Sequence, residues 1–131
     1  MTKDQEDYLK NWLLLANEDI AVIESLFKAD SDLYARTICF HAQQAVEKFL
    51  KAFLVFHNKD FPKTHDLEFL LLECQKIDKS GFDFDFGSLT DFGVSVRYPD
   101  DFIIPDKEDT ILYRDIAIDV KKEIESKIKI K

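Results

Sequence analysis

The densest group of chemically active side chains in this sequence lies within residues 40–51, which read Phe-His-Ala-Gln-Gln-Ala-Val-Glu-Lys-Phe-Leu-Lys. The stretch combines one imidazole, two adjacent amides, one carboxylate and two ammonium groups with strongly apolar neighbours. Imidazoles exchange protons near neutral pH, and amides donate and accept hydrogen bonds without carrying charge. The segment therefore offers one acid–base group and several groups suited to a polar contact. These residues are His41, Gln43, Gln44, Glu47, Lys48 and Lys51.

Two interpretations of the amide and charged residues are open on the sequence alone. Glu47 and Lys51 are four residues apart, as are Gln44 and Lys48, so each pair can interact on a solvated helix face. Alternatively, the same side chains form a polar seam between helices or between subunits. A buried amide without a partner costs about 1–3 kcal/mol, so a seam requires partners close by.

Candidate binding residues also occur outside this segment. His65 follows Thr64 at a predicted helix start, where it can hydrogen-bond a neighbouring helix or cover the helix end. Arg97 and Tyr98 precede a proline. They could hold a phosphate or carboxylate beside a stacking ring, or the arginine could pair with a nearby aspartate and fix the loop. The three histidines lack a metal-binding spacing, so we predict neither a metal nor another cofactor.

Apolar residues recur at helical spacing in several segments, and this pattern predicts the elements that hold those groups. Thr2 and Gln5 fit a capping box that opens the first helix. Residues 30–32 offer N-caps for the second helix, and Thr64 can cap the third. Asp106, which follows a proline, opens the last helix.

Residues 78–87 do not follow the helical pattern. Phe82, Phe84 and Phe86 alternate with aspartates, a period of two that could form a short strand. A lone strand has no partner in a helical protein, so we favour an extended strap that lays three rings on the bundle. Ser88 can then cap a short further helix.

Length and composition support the same fold class. The 131 residues are 46% apolar, with twelve Phe but only three Gly and three Pro. Such a chain has enough apolar side chains for a core and few of the turn residues that a β-sandwich or barrel needs. We therefore predict one domain spanning residues 1–131, an all-α antiparallel bundle of four to five helices with short connections.

The charge balance limits the partners that we expect. The formal net charge is −8, which repels polyanions, so an RNA contact would require a local basic patch. The first residues contain no signal-type apolar region, and no apolar run is long enough to cross a membrane. Cys39 and Cys74 both fall within apolar helical runs, as expected for buried thiols in a reducing compartment. We expect a cytoplasmic protein.

Three motifs together resemble the HEPN family, the higher eukaryotes and prokaryotes nucleotide-binding domain. They are Gln-Gln-Ala-x-Glu-Lys-x-Leu-Lys at 43–51, Thr-His-Asp-Leu at 64–67 and Arg-Tyr-Pro-Asp at 97–100. The resemblance covers nearly the whole chain and implies an antiparallel helical bundle that commonly dimerises. It also implies a minimal nucleotidyltransferase as partner in a toxin–antitoxin-type pair. A homodimeric binding module of this kind is our leading hypothesis.

The resemblance also suggests a metal-independent ribonuclease, because some HEPN proteins use an Arg and a His separated by four to six intervening residues. Counting from Arg97, those positions hold Phe102, Ile103 and Ile104, whereas Arg36 and His41 have the required spacing on the second helix. Five residues of helix leave their side chains roughly 140° apart, so catalysis would require a kink or a second subunit. In a dimer cleft, Arg97 or His65 could complete the site. A small-nucleotide-binding groove beside this helix is a third hypothesis.

Overall fold

The computed structural model describes residues 1–93, 99 and 103–129. These residues form α-helices and one short 3-10 helix and contain no strand, so the predicted all-α fold class is confirmed. No helix among them is long and apolar enough to cross a membrane. The elements are α1 (Lys3–Asp30), α2 (Ala35–Phe56), α3 (Leu67–Ile77), the 3-10 helix (Leu89–Gly93) and α4 (Lys107–Lys127).

Side-chain capping explains where the N-termini of α1 and α4 lie, as predicted. The side chain of Thr2 accepts a hydrogen bond from the backbone N–H of Gln5, and the Gln5 side chain accepts one from the backbone N–H of Thr2. Asp106 caps α4 by accepting from the backbone N–H of Asp109. Each cap satisfies an N–H group that lacks a partner inside its helix.

The predicted caps of α2 and α3 were wrong in detail. The N-cap of α2 is Tyr34, which makes no side-chain cap bond, because α1 continues to Asp30 and the Asp30 carboxylate accepts from Leu33 N in the turn. The N-cap of α3 is Asp66, and the predicted cap Thr64 instead accepts from the Asp66 backbone N–H. Both errors lie within a few residues of a boundary, where several capping side chains compete.

The core is built around α2, of whose 22 residues fourteen are buried. Ala42, Ala45 and Ala52 are fully buried, and their small side chains let neighbouring helices approach closely. Phe49 and Phe53 supply the largest buried rings of this helix. Because α2 is surrounded in this way, polar side chains on it must find partners within the protein.

The antiparallel arrangement predicted for neighbouring helices holds for α1 and α2. Asp19 of α1 contacts His41 of α2, and Trp12, earlier in α1, lies beside Lys51, later in α2. The two sequences therefore run in opposite directions along their contact. This geometry follows from the short turn between them, which spans residues 31–34.

The connection before α3 is longer than predicted and changes the direction of that helix. Gln43 of α2 donates to the backbone carbonyl of His65, just before α3, whereas Cys74 near its end donates to the Leu50 carbonyl. The later residue of α2 contacts the later residue of the second segment, so α3 runs parallel to α2 and in the same direction. Residues 57–66 return the chain along α2 before α3 begins.

Helix α4 also runs along α2 in the same direction. Near its start, the buried side chain of Thr110 lies beside Cys39 of α2. Near its end, the Lys127 ammonium lies 5.1 Å from the Phe82 ring centre, and Phe82 packs on Phe53 with ring centres 5.0 Å apart. The end of α3 and the start of α4 therefore lie toward opposite ends of α2.

Residues 78–88 form the extended strap that the alternating phenylalanines predicted. Phe82 and Phe86 are fully buried and Phe84 is half-buried, and no residue of this segment is in a strand. Gly81 and Gly87 have positive φ angles of 81° and 52°, which glycine adopts without a Cβ clash, so they reverse the chain as expected. The further helix predicted after Ser88 is present as the 3-10 helix over residues 89–93.

Cys39 and Cys74 are fully buried free thiols, and burial raises the pKa of each to about 12. Because the thiolate is the reactive form, we expect neither cysteine to react with iodoacetamide at pH 8 while the protein is folded. Intact-mass spectrometry should show no adduct without denaturant and two adducts in concentrated urea. If either thiol reacted in the folded protein as fast as in urea, the burial of Cys39 and Cys74 would be contradicted.

Candidate functional site

One row of polar side chains on α2 lies inside the protein. Gln43, Glu47 and Lys51 are each at most 5% exposed, and their spacing of four residues places them on one side of the helix. The seam interpretation of this segment is therefore supported over that of a solvated face. The seam lies between elements of one chain.

Glu47 is the central acceptor of this seam. Its Oε1 accepts from Gln43 Nε2 at 3.2 Å and is hydrogen-bonded to His65 Nδ1 at 2.8 Å, while its Oε2 accepts from Lys51 Nζ at 3.0 Å. Gln43 also donates to the His65 carbonyl at 3.1 Å. Of the two interpretations of His65, the structure has the hydrogen bond to a neighbouring helix. Both its ring and its backbone fasten the segment before α3 to α2.

Lys51 is shielded by aromatic rings as well as paired with Glu47. Its Nζ lies 5.5 Å from the ring centre of Trp12 on α1 and 5.7 Å from that of Phe61 in the 57–66 segment. An ammonium group over an aromatic face is attracted by the ring quadrupole, and the attraction grows when water is excluded. Lys51 therefore connects α2 to α1 and to this segment.

The 3-10 helix closes the other end of the seam. A Cβ built on Gly93 would lie 2.9 Å from the side-chain Cδ of Gln43, closer than real Cβ atoms approach. A larger residue there would require the Gln43 amide to shift, because the backbone packs directly on it. Neither Gly93 nor its contact with Gln43 was singled out by the sequence, since nothing in a local pattern reports an approach between residues fifty positions apart.

A second polar group joins α1 to α2 beside the seam. Asp19 is only 9% exposed in its side chain; its Oδ1 lies 2.8 Å from His41 Nδ1, and its Oδ2 accepts from Lys48 Nζ at 2.6 Å. His41 is thus a hydrogen-bonded histidine at the edge of the apolar stripe. Asp19 was missed, although a carboxylate beside Ala16 and Ile20 on the apolar stripe of α1 was an available signal.

Gln44 is bonded to the seam. Its Nε2 donates to Gln43 Oε1 at 2.7 Å, and the predicted hydrogen bond between Gln44 and Lys48 was therefore wrong. The ammonium of Lys48 binds Asp19 instead, because a charged acceptor makes a stronger hydrogen bond than an amide carbonyl. Together the seam and the Asp19 group form a band of polar side chains on α2, which extends from α1 to the segment before α3.

The remaining candidates do not join this band within the described residues. Arg36 is exposed on the first turn of α2, which is one continuous helix from residue 35 to 56. Five residues of regular helix place the side chains of Arg36 and His41 roughly 140° apart, so one chain does not direct both at one substrate atom. Arg97 and Tyr98 lie outside the described residues.

Comparison with known proteins assigns this architecture. The HEPN domain matches residues 9–127 of the 131, from the first turns of α1 to the end of α4, and so includes both polar groups. No curated protein and no solved structure matches the chain. A match over nine-tenths of the sequence, together with the helical bundle and its seam of Gln43, Glu47 and Lys51, shows that the chain belongs to the HEPN domain family.

Proposed function

We propose that this chain is a HEPN binding module that forms a homodimer and, as a dimer, binds a minimal nucleotidyltransferase in a toxin–antitoxin-type pair. Family membership supports both parts, because HEPN proteins commonly dimerise and many of them resemble partners of such enzymes. The net charge of −8 further favours a protein partner over a polyanionic one.

The observation that carries this proposal is an exposed aromatic and aliphatic surface on α1, which we call the α1 face. It consists of Tyr8, Asn11, Trp12 and Leu15, which surround a shallow depression of about 190 Å³. Tyr8 and Leu15 are 52% and 44% exposed and lie seven residues apart, so both project from the same side of α1. Exposed aromatic side chains around a depression are typical anchors of protein interfaces.

Because the seam residues of α2 are bonded within the chain, we place the proposed interface on α1 and not on α2. Gln43, Glu47 and Lys51 are buried and hydrogen-bonded within the chain. They therefore contribute to an interface indirectly, by fixing the position of the residues that form it. Lys51 does this directly, since its ammonium lies against the Trp12 ring. A stable dimer buries about 800 Å² on each partner, so the α1 face would form the centre of a larger contact.

The ribonuclease hypothesis has less support. Its candidate pair, Arg36 and His41, projects from α2 in different directions, and His41 is already bonded to Asp19. The net charge of −8 would also repel an RNA substrate. A docking role requires neither a catalytic pair nor a basic surface.

Leu15→Glu is expected to weaken the homodimer by about a hundredfold or more, because the charge must be desolvated at the centre of the contact. Sedimentation equilibrium of the wild-type chain and the variant measures this directly. Leu72→Glu is the matched control, since Leu72 is 58% exposed on α3 and does not line the α1 face. A monomeric wild-type chain, or equal weakening by both substitutions, would contradict an interface at this face.

The partner is tested separately by co-expression with a minimal nucleotidyltransferase, the class of partner that the family resemblance implies. We expect a complex that survives affinity purification and gel filtration with the wild-type chain and with Leu72→Glu. A stable homodimer that leaves this enzyme unbound would overturn the partner assignment while leaving the dimer in place.

A further inference from the structure

The carboxylate of Asp19 holds two basic groups side by side at the surface. Its two oxygens are each used once, by His41 Nδ1 at 2.8 Å and by Lys48 Nζ at 2.6 Å. A buried acceptor with both oxygens filled fixes the imidazole and the ammonium relative to each other. The basic side chains come from one helix and their anchor from another, so the packing of α1 on α2 sets this geometry.

Both basic groups retain unused hydrogen-bonding capacity on the side away from Asp19. His41 Nε2 and the two other N–H groups of Lys48 have no partner among the described residues. Their side chains are 24% and 20% exposed, so a small solute can reach them while much of the bulk water is excluded. Partial desolvation strengthens the attraction between these groups and a bound anion.

Gln44 adds a neutral group to the same surface. It lies three residues after His41 and four before Lys48, which places the three side chains on adjoining positions of one side of α2. Its amide is half-buried, and one of its two N–H groups is used by Gln43 Oε1. The other N–H group remains available for an acceptor.

The local charge suits a small anion in an otherwise acidic protein. Asp19 and Lys48 cancel, and so do the neighbouring Glu47 and Lys51, which leaves the charge of His41 to decide the sign. The site is therefore neutral or positive within a chain of net charge −8. A polyanion would meet the acidic surface around it, whereas a single phosphate would not.

Proton sharing favours phosphate over other oxyanions. With one proton on Nδ1 toward Asp19, a neutral His41 presents Nε2 as an acceptor, and a protonated His41 presents it as a donor. A phosphate monoester changes between monoanion and dianion near pH 6, so it can either donate to Nε2 or accept from it. Sulfate and carboxylates carry no proton at this pH and can only accept.

From this placement we infer that His41, Lys48 and Gln44 form a binding site for the phosphate group of a small phosphate monoester, with Asp19 as the positioning residue. The site does not depend on the proposed dimer or its partner. His41 Nε2 and the Lys48 ammonium contact the phosphate oxygens, and the free N–H of Gln44 contributes a third hydrogen bond.

The test is a titration of the ¹⁵N-labelled full chain with inorganic phosphate, ribose 5-phosphate and sulfate, followed through the imidazole resonances of His41. We expect saturable shifts with a dissociation constant of about 1 mM for both phosphates and at least fivefold weaker binding of sulfate. Unchanged His41 resonances with both phosphates would overturn the site. Equal binding of sulfate would overturn the phosphate assignment, and tighter binding of a 5′-phosphorylated RNA than of ribose 5-phosphate would overturn the small-molecule assignment.

Lys48→Met is expected to weaken ribose 5-phosphate binding about tenfold or more, since it removes the permanent positive charge. Lys122→Met is the matched control, because Lys122 is an exposed lysine on α4. Equal weakening by both variants would show attraction to net charge alone and would overturn the site. Asp19→Asn should weaken binding and also shift the ¹⁵N resonances of His41 before any ligand is added. If Asp19 only stabilised the packing of α1, its substitution would leave those resonances unchanged.

Discussion

Glu47→Ala is expected to lower the free energy of unfolding by about 3–5 kcal/mol, the usual cost of removing one partner from a buried ion pair. The carboxylate accepts from Lys51 Nζ at 3.0 Å and from Gln43 Nε2 at 3.2 Å. Without it, the Lys51 ammonium stays buried against Trp12 and Phe61 with no opposite charge. Urea unfolding followed by the fluorescence of Trp12, the only tryptophan, measures the loss.

The double variant Glu47→Leu, Lys51→Met separates the charge from the packing. Since both charges disappear together and apolar groups of similar size replace them, we expect stability within about 1 kcal/mol of the wild-type chain. A double variant as unstable as Glu47→Ala would instead place the loss in the contacts to His65 and Gln43. The fastening of the segment before α3 would then matter more than the buried charges.

Glu125→Ala provides the matched control for burial. Glu125 pairs with Lys121 four residues earlier on α4, at 2.7 Å, with both side chains substantially exposed. Exposed pairs of this spacing contribute about 0.3–0.5 kcal/mol, because water screens the charges. Equal losses from Glu125→Ala and Glu47→Ala would contradict the buried character of the seam.

The sequence predicted the helices and the strap because their burial patterns are local. The alternation of Phe82, Phe84 and Phe86, and the capping box of Thr2 and Gln5, each lie within a few residues and depend on no distant contact. The direction of α3 relative to α2 could not be predicted in this way. It depends on how far residues 57–66 travel before the helix begins, and composition does not encode that path.

The candidate site was predicted in its residue types and only in part in its contacts. The unusual polar content of residues 40–51 raised a polar seam that includes Glu47 as one of two interpretations, because amides and charges in an apolar helix need partners. The partners themselves, Asp19 and Gly93, come from distant parts of the chain. Tertiary packing brought Asp19 to Lys48, and so replaced the local pair that the spacing of Gln44 and Lys48 had suggested.

Phe82→Ala is expected to destabilise the protein by about 3–5 kcal/mol, the range for removing a fully buried aromatic ring. The ring packs edge-on against Phe53 of α2, with centres 5.0 Å apart, and lies under the Lys127 ammonium of α4. Its loss would leave a cavity where the ends of these two helices meet. Urea midpoints and m values, compared with those of the wild-type chain, measure the effect.

Phe84→Ala is the matched control within the same segment, because Phe84 is only half-buried and stacks on Phe86 with ring centres 5.9 Å apart. Its expected cost is about 1–2 kcal/mol, from partial burial and one aromatic contact. Equal losses would mean that the strap contributes through its backbone path and not through the individual rings. If Phe82→Ala instead left global stability unchanged and only accelerated amide exchange in residues 81–87, the strap would be a separately unfolding unit. The larger loss for Phe82 is expected because its ring, between α2 and α4, belongs to the same cooperative core.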